Sequence, residues 1–243
     1  MYQPRTYRHR VKDDSLVAFQ VVVKETDLYI RALSNLHRKA YRLVVKYRGM
    51  LEAYIEREPD FLTSLEPISV GRDAPRIVQE MAAAASRADV GPMAAVAGAI
   101  AEFVGKELLV FSPEIIVENG GDIFLKSQRK RTIGVYAGSS PLTGEIGLEI
   151  SGGDAPLGIC TSSGTVGHSL SFGKADAVIV LAGSATLADA AATAIGNRVG
   201  QADDIPRGIE FAQGIEGLGG VVIIKDDKLG VWGEVKIVSP ARE

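Results

Sequence analysis

Two polar side chains interrupt a run of alanines between Leu187 and Gly196. Asp189 and Thr193 stand four residues apart in the segment LADAAATAIG. Alanine is the best helix former, and at 3.6 residues per turn the two side chains share one face of a helix. A carboxylate beside a neutral oxygen suits a hard cation such as Mg²⁺, which completes its coordination with water or substrate phosphates. The pair is therefore a candidate metal site at Asp189 and Thr193.

The same segment also has a purely structural interpretation. Residues 186–189 fit the capping-box pattern, with Thr186 as the N-cap and Asp189 in the first turn. There the helix dipole favours a negative charge. In this interpretation Asp189 only stabilises its own helix, and the spacing taken alone favours the cap.

Two glycine-bearing loops provide candidate ligand contacts. The residues concerned are Asn119, Gly120, Gly121 and Asp122 in the first loop, and Ser162, Ser163 and Gly164 in the second. In the first loop the glycines would let a ligand approach backbone N–H groups, with the aspartate at the rim. An ordinary hairpin turn, for which Asn-Gly is the strongest signal, is the alternative. The second loop is either an anion nest or a serine/threonine turn between strands.

Several familiar active sites are absent from the sequence. It contains no G-x-x-x-x-G-K-[ST] motif, no H-E-x-x-H motif, and no G-x-G-x-x-G motif behind a strand. Three histidines and the single cysteine, Cys160, exclude a histidine-rich or cysteine-based metal site and an internal disulfide. Cys160 and His168 flank one loop and could form a thiol–imidazole pair, but a small buried hydrophobe is the favoured interpretation of Cys160.

The composition is that of a globular chain: 243 residues, 46% hydrophobic and 23% charged. No apolar stretch follows the basic N-terminus and none is long enough to span a bilayer, which predicts a cytoplasmic protein without a membrane partner. Residues 1–48 hold 11 Lys and Arg against 4 Asp and Glu, a net charge of +7. Most of the basic side chains from residue 38 onward lie on the polar side of one predicted helix. A solvated face is therefore favoured over nucleic-acid binding.

Runs of strands interrupted by paired helices predict an α+β fold with helices packed on antiparallel sheets. The predicted elements, in order, are a hairpin (16–23 and 27–31), a long helix capped by Ser34 and ended by Glu58-Pro59, a connection (59–74), alanine-rich helices (76–87 and 92–109), strands from residue 114 onward, a buried strand (ADAVIVLAG) leading into the Asp189 helix, a helix (205–214), and a closing hairpin turned at Asp226-Asp227. The whole chain, 1–243, is predicted as one compact domain, with the hairpin and long helix in 1–58 and the ligand site in 75–240. A small-residue helix followed by a strand occurs in both 92–118 and 187–224, a faint indication of internal duplication.

Three segments, VENGGDI, CTSSG and SATLADAAATAIG, in this order resemble the ApbE superfamily, the FAD:protein FMN transferases. The helix GPMAAVAGAIAEFV extends the resemblance over residues 91–196. The resemblance implies an ApbE-like fold, Mg²⁺ held by Asp189 and Thr193, and FAD in a cleft formed by residues 119–122 and 162–164. It shifts the interpretation of Asp189 from cap to ligand. The chain is most similar to a short cytoplasmic branch of this superfamily.

Two departures from the family pattern affect the predicted function. Val96-Ala97-Gly98 stands where the family has its lysine-bearing AKG segment, and only a shortened segment around His168 stands where the family has a histidine loop. We predict binding of a flavin nucleotide, or a related phosphorylated ligand, with a divalent metal. If the protein is an enzyme, the expected reaction is metal-assisted attack on the FAD pyrophosphate or FMN transfer. The alternative is a non-catalytic scaffold that binds another ligand or a protein partner, and the sequence leaves oligomerisation open.

Overall fold

The computed structural model describes residues 15–164 and 173–239. Its strands are β1 (Val17–Val23), β2 (Thr26–Ala32), β3 (Ile115–Asn119), β4 (Asp122–Lys126), β5 (Arg131–Gly134), β6 (Gly147–Ile150), β7 (Leu157–Ser162), β8 (Ala177–Ala182), β9 (Leu218–Lys225), β10 (Lys228–Gly233) and β11 (Ile237–Val238). Its helices are α1 (His37–Arg57), α2 (Asp60–Thr63), α3 (Arg76–Ala88), α4 (Val96–Leu108), α5 (Ala185–Gly196) and α6 (Ile205–Gln213), with 3₁₀ turns at Pro92–Ala95 and Ala202–Asp204.

Antiparallel pairing joins the strands into two sheets. The larger sheet has eight strands in the order β1-β2-β3-β4-β7-β8-β9-β10, and the smaller has three in the order β11-β6-β5. Every recorded strand pair is antiparallel. The predicted α+β class with antiparallel sheets and packed helices is therefore confirmed, whereas the internal duplication stays a prediction.

Two hydrophobic cores lie on opposite faces of the larger sheet. Strand β8 contributes to both, because successive residues of a strand point to opposite faces. Val178 and Val180 pack in the core that the helices cover, and Ile179 and Leu181 pack in a second core with Leu148 of the smaller sheet. All six residues of β8 are buried, as its continuous apolar run predicts. The helices, the large sheet and the small sheet thus form three layers.

Helix α5 lies deep in the helical layer, against α3, α4, β7 and β8. Two glycines let its backbone approach its neighbours closely. A Cβ added at Gly98 of α4 would lie 2.3 Å from the carbonyl oxygen of Ala185, and one added at Gly158 of β7 would lie 2.4 Å from the Cα of Ala185. Only glycine fits at these two contacts, so they set the position of α5.

The N-terminal part of the chain departs from the predictions at two places. Helix α1 begins at His37, and its N-cap, Leu36, makes no side-chain cap bond, so the predicted Ser34 cap is wrong. The Asn35 side chain accepts a hydrogen bond from the His37 N–H at 2.9 Å. Within the predicted connection 59–74 the chain forms α2, because Phe61 is fully buried and packs edge-on against Tyr54 with ring centroids 5.2 Å apart.

Two further element boundaries differ from the predictions. The predicted helix 92–109 begins as the 3₁₀ turn Pro92–Ala95, and its α-helical part starts only at Val96. The closing hairpin turns at Asp226-Asp227 as predicted, but the end of that predicted segment forms β11 and pairs with β6 of the smaller sheet.

Within residues 15–164 and 173–239 we find no single helix with the length and apolar composition needed to cross a membrane. The pair Arg76–Ala88 and Pro92–Leu108, bent by 105° at the break, meets those criteria only when its two helices are taken together.

Candidate functional site

Helix α5 is open to solvent only at the pair of residues that the sequence singles out. Ten of its twelve residues are buried, and the remaining two, Asp189 and Thr193, are half-buried. Their spacing of four residues places them on one face, as predicted. Among the described residues none forms a hydrogen bond with the Thr193 hydroxyl, which leaves this oxygen available to a ligand.

The predicted capping box at the start of α5 is wrong. Ser184 is the N-cap, and its hydroxyl accepts a hydrogen bond from the Leu187 N–H at 3.3 Å. Thr186 is instead the second residue of the helix, and its N–H and hydroxyl both donate to Glu102 at 2.9 Å. Asp189 therefore lies beyond the first turn of its own helix.

Asp189 has a different structural role, at the start of the neighbouring helix. Its Oδ2 accepts a hydrogen bond from the Gly98 N–H at 2.8 Å, and Gly98 is the third residue of α4. The first N–H groups of a helix have no intrahelical partner and carry partial positive charge. A carboxylate placed there is stabilised. The first turn of α4 therefore holds the Asp189 side chain at the solvent-accessible side of α5.

The hairpin between β3 and β4 turns at its two glycines. Asn119 and Asp122 face each other across the strands, and Gly120 and Gly121 between them have φ of 70° and 109°. A two-residue loop of this kind needs positive φ at both central residues, so the turn is centred one residue later than Asn-Gly would place it. The Gly121 N–H already donates to Glu118 at 3.0 Å, and therefore serves the hairpin itself.

Glu118 is a buried carboxylate at the site's edge that the sequence analysis did not identify. A charged residue within an apolar strand is only a weak sequence signal of a functional site. Its hydrogen-bond partner here, the Gly121 N–H of the following turn, depends on the turn geometry. Glu118 stabilises the turn from the face of the sheet opposite to Asn119, since the two residues are adjacent in one strand.

The other two polar side chains of the hairpin point towards the helices and are also buried. The Asn119 Nδ2 donates to the carbonyl oxygen of Ala97 at 3.1 Å, and the Asp122 Oδ1 accepts from the Thr161 N–H at 3.3 Å. Because Asn119 contacts Ala97 and Asp189 contacts Gly98, the hairpin tip and α5 meet at the same turn of α4. The structure thus brings Asn119, Asp122 and Asp189 together.

Asp122 and Asp189 lie close enough to interact electrostatically. Burial raises the pKa of Asp189 to about 7, although N–H groups of Gly98 and Ala97 oppose the shift. Burial is also the main reason why the pKa of Asp122 is raised well above its usual value, and the negative charge of Asp189 raises it further. Neither carboxylate forms an ion pair with a lysine, arginine or histidine of the described segments. A divalent cation would supply the missing positive charge.

Cys160 lies fully buried beside this cluster. Its Sγ–H donates to the carbonyl oxygen of Ala185 at 3.2 Å. Burial raises the pKa of the thiol well above its usual value, and the charges of Asp122 and Asp189 raise it further. The thiolate is therefore disfavoured, in keeping with the favoured interpretation of Cys160 as a buried small side chain. His168, its proposed partner, lies outside the described residues.

The second predicted loop lies at the other end of α5. Ser162 is buried at the end of β7, where its Oγ is 3.5 Å from the position of a Cβ added at Gly196. Ser163 is half-buried, and Gly164 is exposed. The Gly164 N–H donates to the carbonyl oxygen of Ala175 at 3.0 Å, so this amide is used within the protein. Ligand contacts by this loop stay a prediction, since residues 165–172 are not described.

Few side chains near Asp189 could act as metal ligands. Within the described ranges, no three His, Cys, Asp or Glu side chains are arranged to hold a metal ion. Two carboxylates and a hydroxyl fit Mg²⁺, which uses one or two protein carboxylates and takes its other ligands from phosphates and water. The two described cavities, lined by residues of the 35–42 segment and by residues around 139–141, do not include these side chains.

The chain, with its three-layer fold and the solvent-accessible carboxylate–hydroxyl pair on α5, is similar to a known class of proteins in both sequence and fold. The family model described as AbpE bacteria matches residues 8–211. The chain is 45% identical over 222 residues to a UPF0280 protein of Methanocaldococcus jannaschii, covering 89% of this chain and 90% of that one. It is 43% identical over 232 residues to a UPF0280 protein of Methanopyrus kandleri, covering 92% and 94%. The chain therefore belongs to this AbpE family, in the UPF0280 branch of the ApbE-like superfamily.

Solved structures show the same fold at low sequence identity. The ApbE protein of Thermotoga maritima is similar with a TM-score of 0.56 and 14% identity, covering 90% of this chain and 97% of that one. The apo form of the flavinyl transferase ApbE of Pseudomonas stutzeri has a TM-score of 0.52 and 13% identity, covering 89% and 94%. The resemblance to the ApbE superfamily that the three motifs suggested is confirmed.

Proposed function

We propose that this protein binds a flavin nucleotide, or a related phosphorylated ligand, together with a divalent cation at Asp189 and Thr193. The observation that carries the proposal is the exposure of α5. Every other residue of this helix is buried, yet the two residues that solvent reaches are a carboxylate and a hydroxyl one turn apart. The carboxylate and the hydroxyl are both accessible to a cation, and a second carboxylate, Asp122, interacts electrostatically with Asp189.

The charge of the cluster supports a cation as part of the ligand. Two carboxylates, the buried Asp122 and the half-buried Asp189, interact electrostatically without a described cationic partner, so ionising both costs free energy unless positive charge is bound. Asp189 and Thr193 would hold the cation, and Asp122 would add negative charge beside it. When bound, Mg²⁺ would neutralise charge on the phosphoryl oxygens of a nucleotide and orient them.

The remaining side chains define how such a ligand would be held. The amides of Gly121 and Gly164 are already bonded within the protein. Recognition therefore rests on the cation, on the Asn119 and Thr193 side-chain oxygens, and on Ser163, rather than on a cradle of backbone N–H groups. Ala94 of the 3₁₀ turn and Ala97 in the first turn of α4 are half-buried and would provide a smooth apolar surface for a flat ring.

Two activities are compatible with this site, and one residue separates them. The Pseudomonas stutzeri structure of similar fold is a flavinyl transferase. In this chain Ala97 stands where the superfamily has a lysine, and no cation replaces it among the described neighbours of Asp189. We therefore propose slow metal-dependent cleavage of the FAD pyrophosphate, or nucleotide binding alone, in preference to efficient FMN transfer to a protein.

A non-catalytic scaffold is the second candidate function. The observation in its favour is that Gly121 and Gly164, whose N–H groups were expected to contact the ligand, donate within the protein instead. Such a scaffold would keep the fold and use the same opening for a different ligand.

Native mass spectrometry of the purified protein with FAD, with Mg²⁺ and with both tests the proposal. We expect a one-to-one FAD complex that requires Mg²⁺ and is lost in the Thr193→Val variant, which keeps the shape of the side chain but removes its hydroxyl. Ser34→Ala, far from the site, is the matched control and should bind as the wild type does. FAD binding that ignores Mg²⁺, or no binding at all, would contradict the metal-dependent site.

Intact-mass analysis separates transfer from cleavage. With FAD, Mg²⁺ and an acceptor peptide, we expect AMP and FMN to accumulate slowly, or FAD to persist, without a mass increase on the peptide. Rapid flavinylation of the peptide would show that the missing lysine is not needed, and transfer would then be the function.

A further inference from the structure

We propose that Glu102 is a positioning residue for this site: it fixes the first turn of α5 and thereby holds the Asp189 carboxylate against α4. The catalytic or binding relevance of this role rests on the proposed function, but the role itself concerns contacts between two helices. Glu102 lies in α4 and does not reach the ligand opening.

Both carboxylate oxygens of Glu102 are engaged in hydrogen bonds. Oε2 accepts from the Ser184 hydroxyl at 2.7 Å and from both the N–H and the hydroxyl of Thr186 at 2.9 Å. Oε1 accepts from the Lys106 ammonium at 2.6 Å. Glu102 is only 3% exposed, so these four donors replace its hydration almost completely. The side chain is therefore built to bind this end of α5.

The contact made by Glu102 is the counterpart of the contact made by Asp189. Glu102 of α4 accepts from the N–H of Thr186 in the first turn of α5, and Asp189 of α5 accepts from the N–H of Gly98 in the first turn of α4. Each helix thus supplies a carboxylate to the positive end of the other. The order of the contacts, 98 with 189 and 102 with 186, means that the two helices run in opposite directions, with the two contacts about one turn apart.

This reciprocal arrangement ties the position of Asp189 to Glu102. At Gly98 the two helices are as close as backbone allows, since an added Cβ would lie 2.8 Å from the Cβ of Asp189. If the first turn of α5 moved away from α4, the Asp189 carboxylate three residues later would move with it and lose the Gly98 N–H. Despite its burial, the pKa of Glu102 is lowered by Lys106, Thr186 and Ser184, which keeps the side chain ionised and bonded.

Amide hydrogen exchange of the metal-free protein tests the positioning directly. The variants are Glu102→Ala, Glu102→Gln and, as the matched control on the same helix, Glu107→Ala, which removes a partly exposed carboxylate bonded to Lys46 and Tyr47. In Glu102→Ala we expect the Gly98 amide to exchange at least about tenfold faster. The amide of Val180, in the buried strand β8, should keep its rate and so report that the fold is intact.

Mn²⁺ affinity, measured by titration without any nucleotide, is the second readout. We expect Glu102→Ala to weaken it by about tenfold, Glu102→Gln to stay within about threefold because its amide oxygen still accepts from Thr186, and Glu107→Ala to match the wild type. In Glu102→Ala, exchange that accelerates at Val180 as much as at Gly98 would show a general loss of stability instead of a local movement of α5, and would overturn the positioning role.

The outcomes separate this inference from the proposed function. A folded Glu102→Ala variant with wild-type exchange at Gly98 would overturn the positioning role, whether or not the metal binds. If Glu102→Ala does not fold, Thr186→Val decides, because it removes a donor to Glu102 and keeps the side-chain shape: faster Gly98 exchange with an unchanged Val180 rate supports the role, and wild-type Gly98 exchange overturns it. A wild-type protein that binds no Mn²⁺ would refute the metal site but leave the exchange test valid.

Discussion

Replacing Asp189 by asparagine is expected to stabilise the metal-free protein while abolishing its metal binding. The pKa of Asp189 is raised to about 7 in the folded protein, against about 3.9 in an unfolded chain. A folded-state pKa above the unfolded value means that ionisation opposes folding. The penalty is absent below about pH 4, grows as pH rises towards 7, and is constant above it.

The magnitude follows from the size of the shift. Each pKa unit corresponds to about 1.4 kcal/mol, so a shift of about three units gives roughly 4 kcal/mol at high pH. Because Asp189 is half-buried and partly solvated, we expect about 2–4 kcal/mol. Asparagine remains neutral at every pH, and its Oδ1 still accepts the Gly98 N–H. The variant therefore escapes the penalty and keeps the contact with α4.

Urea unfolding of the metal-free proteins at about pH 5 and about pH 8 measures this effect. We expect the Asp189→Asn variant to exceed the wild type in free energy of unfolding, and by more at the higher pH. Asp189→Ala is the control: it also removes the charge but leaves the Gly98 N–H without its acceptor, so it should be less stable than the Asn variant by about 0.5–2 kcal/mol. A destabilised Asn variant, or a difference that does not depend on pH, would refute the raised pKa of the half-buried Asp189 carboxylate.

Three further predictions concern the same region. Because a proton competes with the cation for Asp189, Mn²⁺ affinity should fall about tenfold per pH unit below its pKa of about 7 and level off above it; titration at several pH values checks this, and a flat profile would speak against Asp189 as a ligand. Gly98→Ala should lower the free energy of unfolding by about 1–3 kcal/mol or more, because its Cβ would lie 2.3 Å from the Ala185 carbonyl oxygen. The control Gly49→Ala in α1, whose Cβ would have nothing within 4 Å, should raise it by about 0.5–1 kcal/mol. Equal effects of the two variants in urea unfolding would contradict the close approach of α4 and α5. Gly121→Ala should lower the melting temperature because φ is +109° there, although its Cβ would have room at 3.9 Å from Thr161; an unchanged melting temperature would mean that the turn relaxes.

Sequence periodicity and hydrophobic runs predicted the helices and strands around the site well. The predictions failed where a residue distant in sequence determines the hydrogen bonding of a side chain. The period of α5 placed Asp189 and Thr193 on one face, and the apolar run of β8 predicted burial on both faces. The capping box failed because the Thr186 side chain is bound by Glu102, which is 84 positions away in sequence. No local pattern signals such a partner, and Ser184 was left free to cap the helix.

The ambiguity about Asp189 had the same origin. From sequence it could cap its own helix or bind a metal, whereas the structure places it at the first turn of α4 through Gly98. Asp122 could be predicted at the rim of a loop, but its proximity to Asp189 depends on how β4 packs under α4. The glycines of the hairpin were identified correctly, yet the Glu118 bond that occupies the Gly121 N–H requires knowledge of the turn geometry.

Anomalous X-ray diffraction from crystals soaked with Mn²⁺ and FAD tests the metal site most directly. Mn²⁺ scatters anomalously, so a peak in the anomalous difference map gives the position of a bound ion directly. We expect one strong peak at about 2.1 Å from an oxygen of Asp189 and from the Thr193 hydroxyl, with phosphate oxygens of the nucleotide completing its coordination. Nucleotide density without a manganese peak at these two side chains, or a peak elsewhere on the protein, would contradict the proposed site.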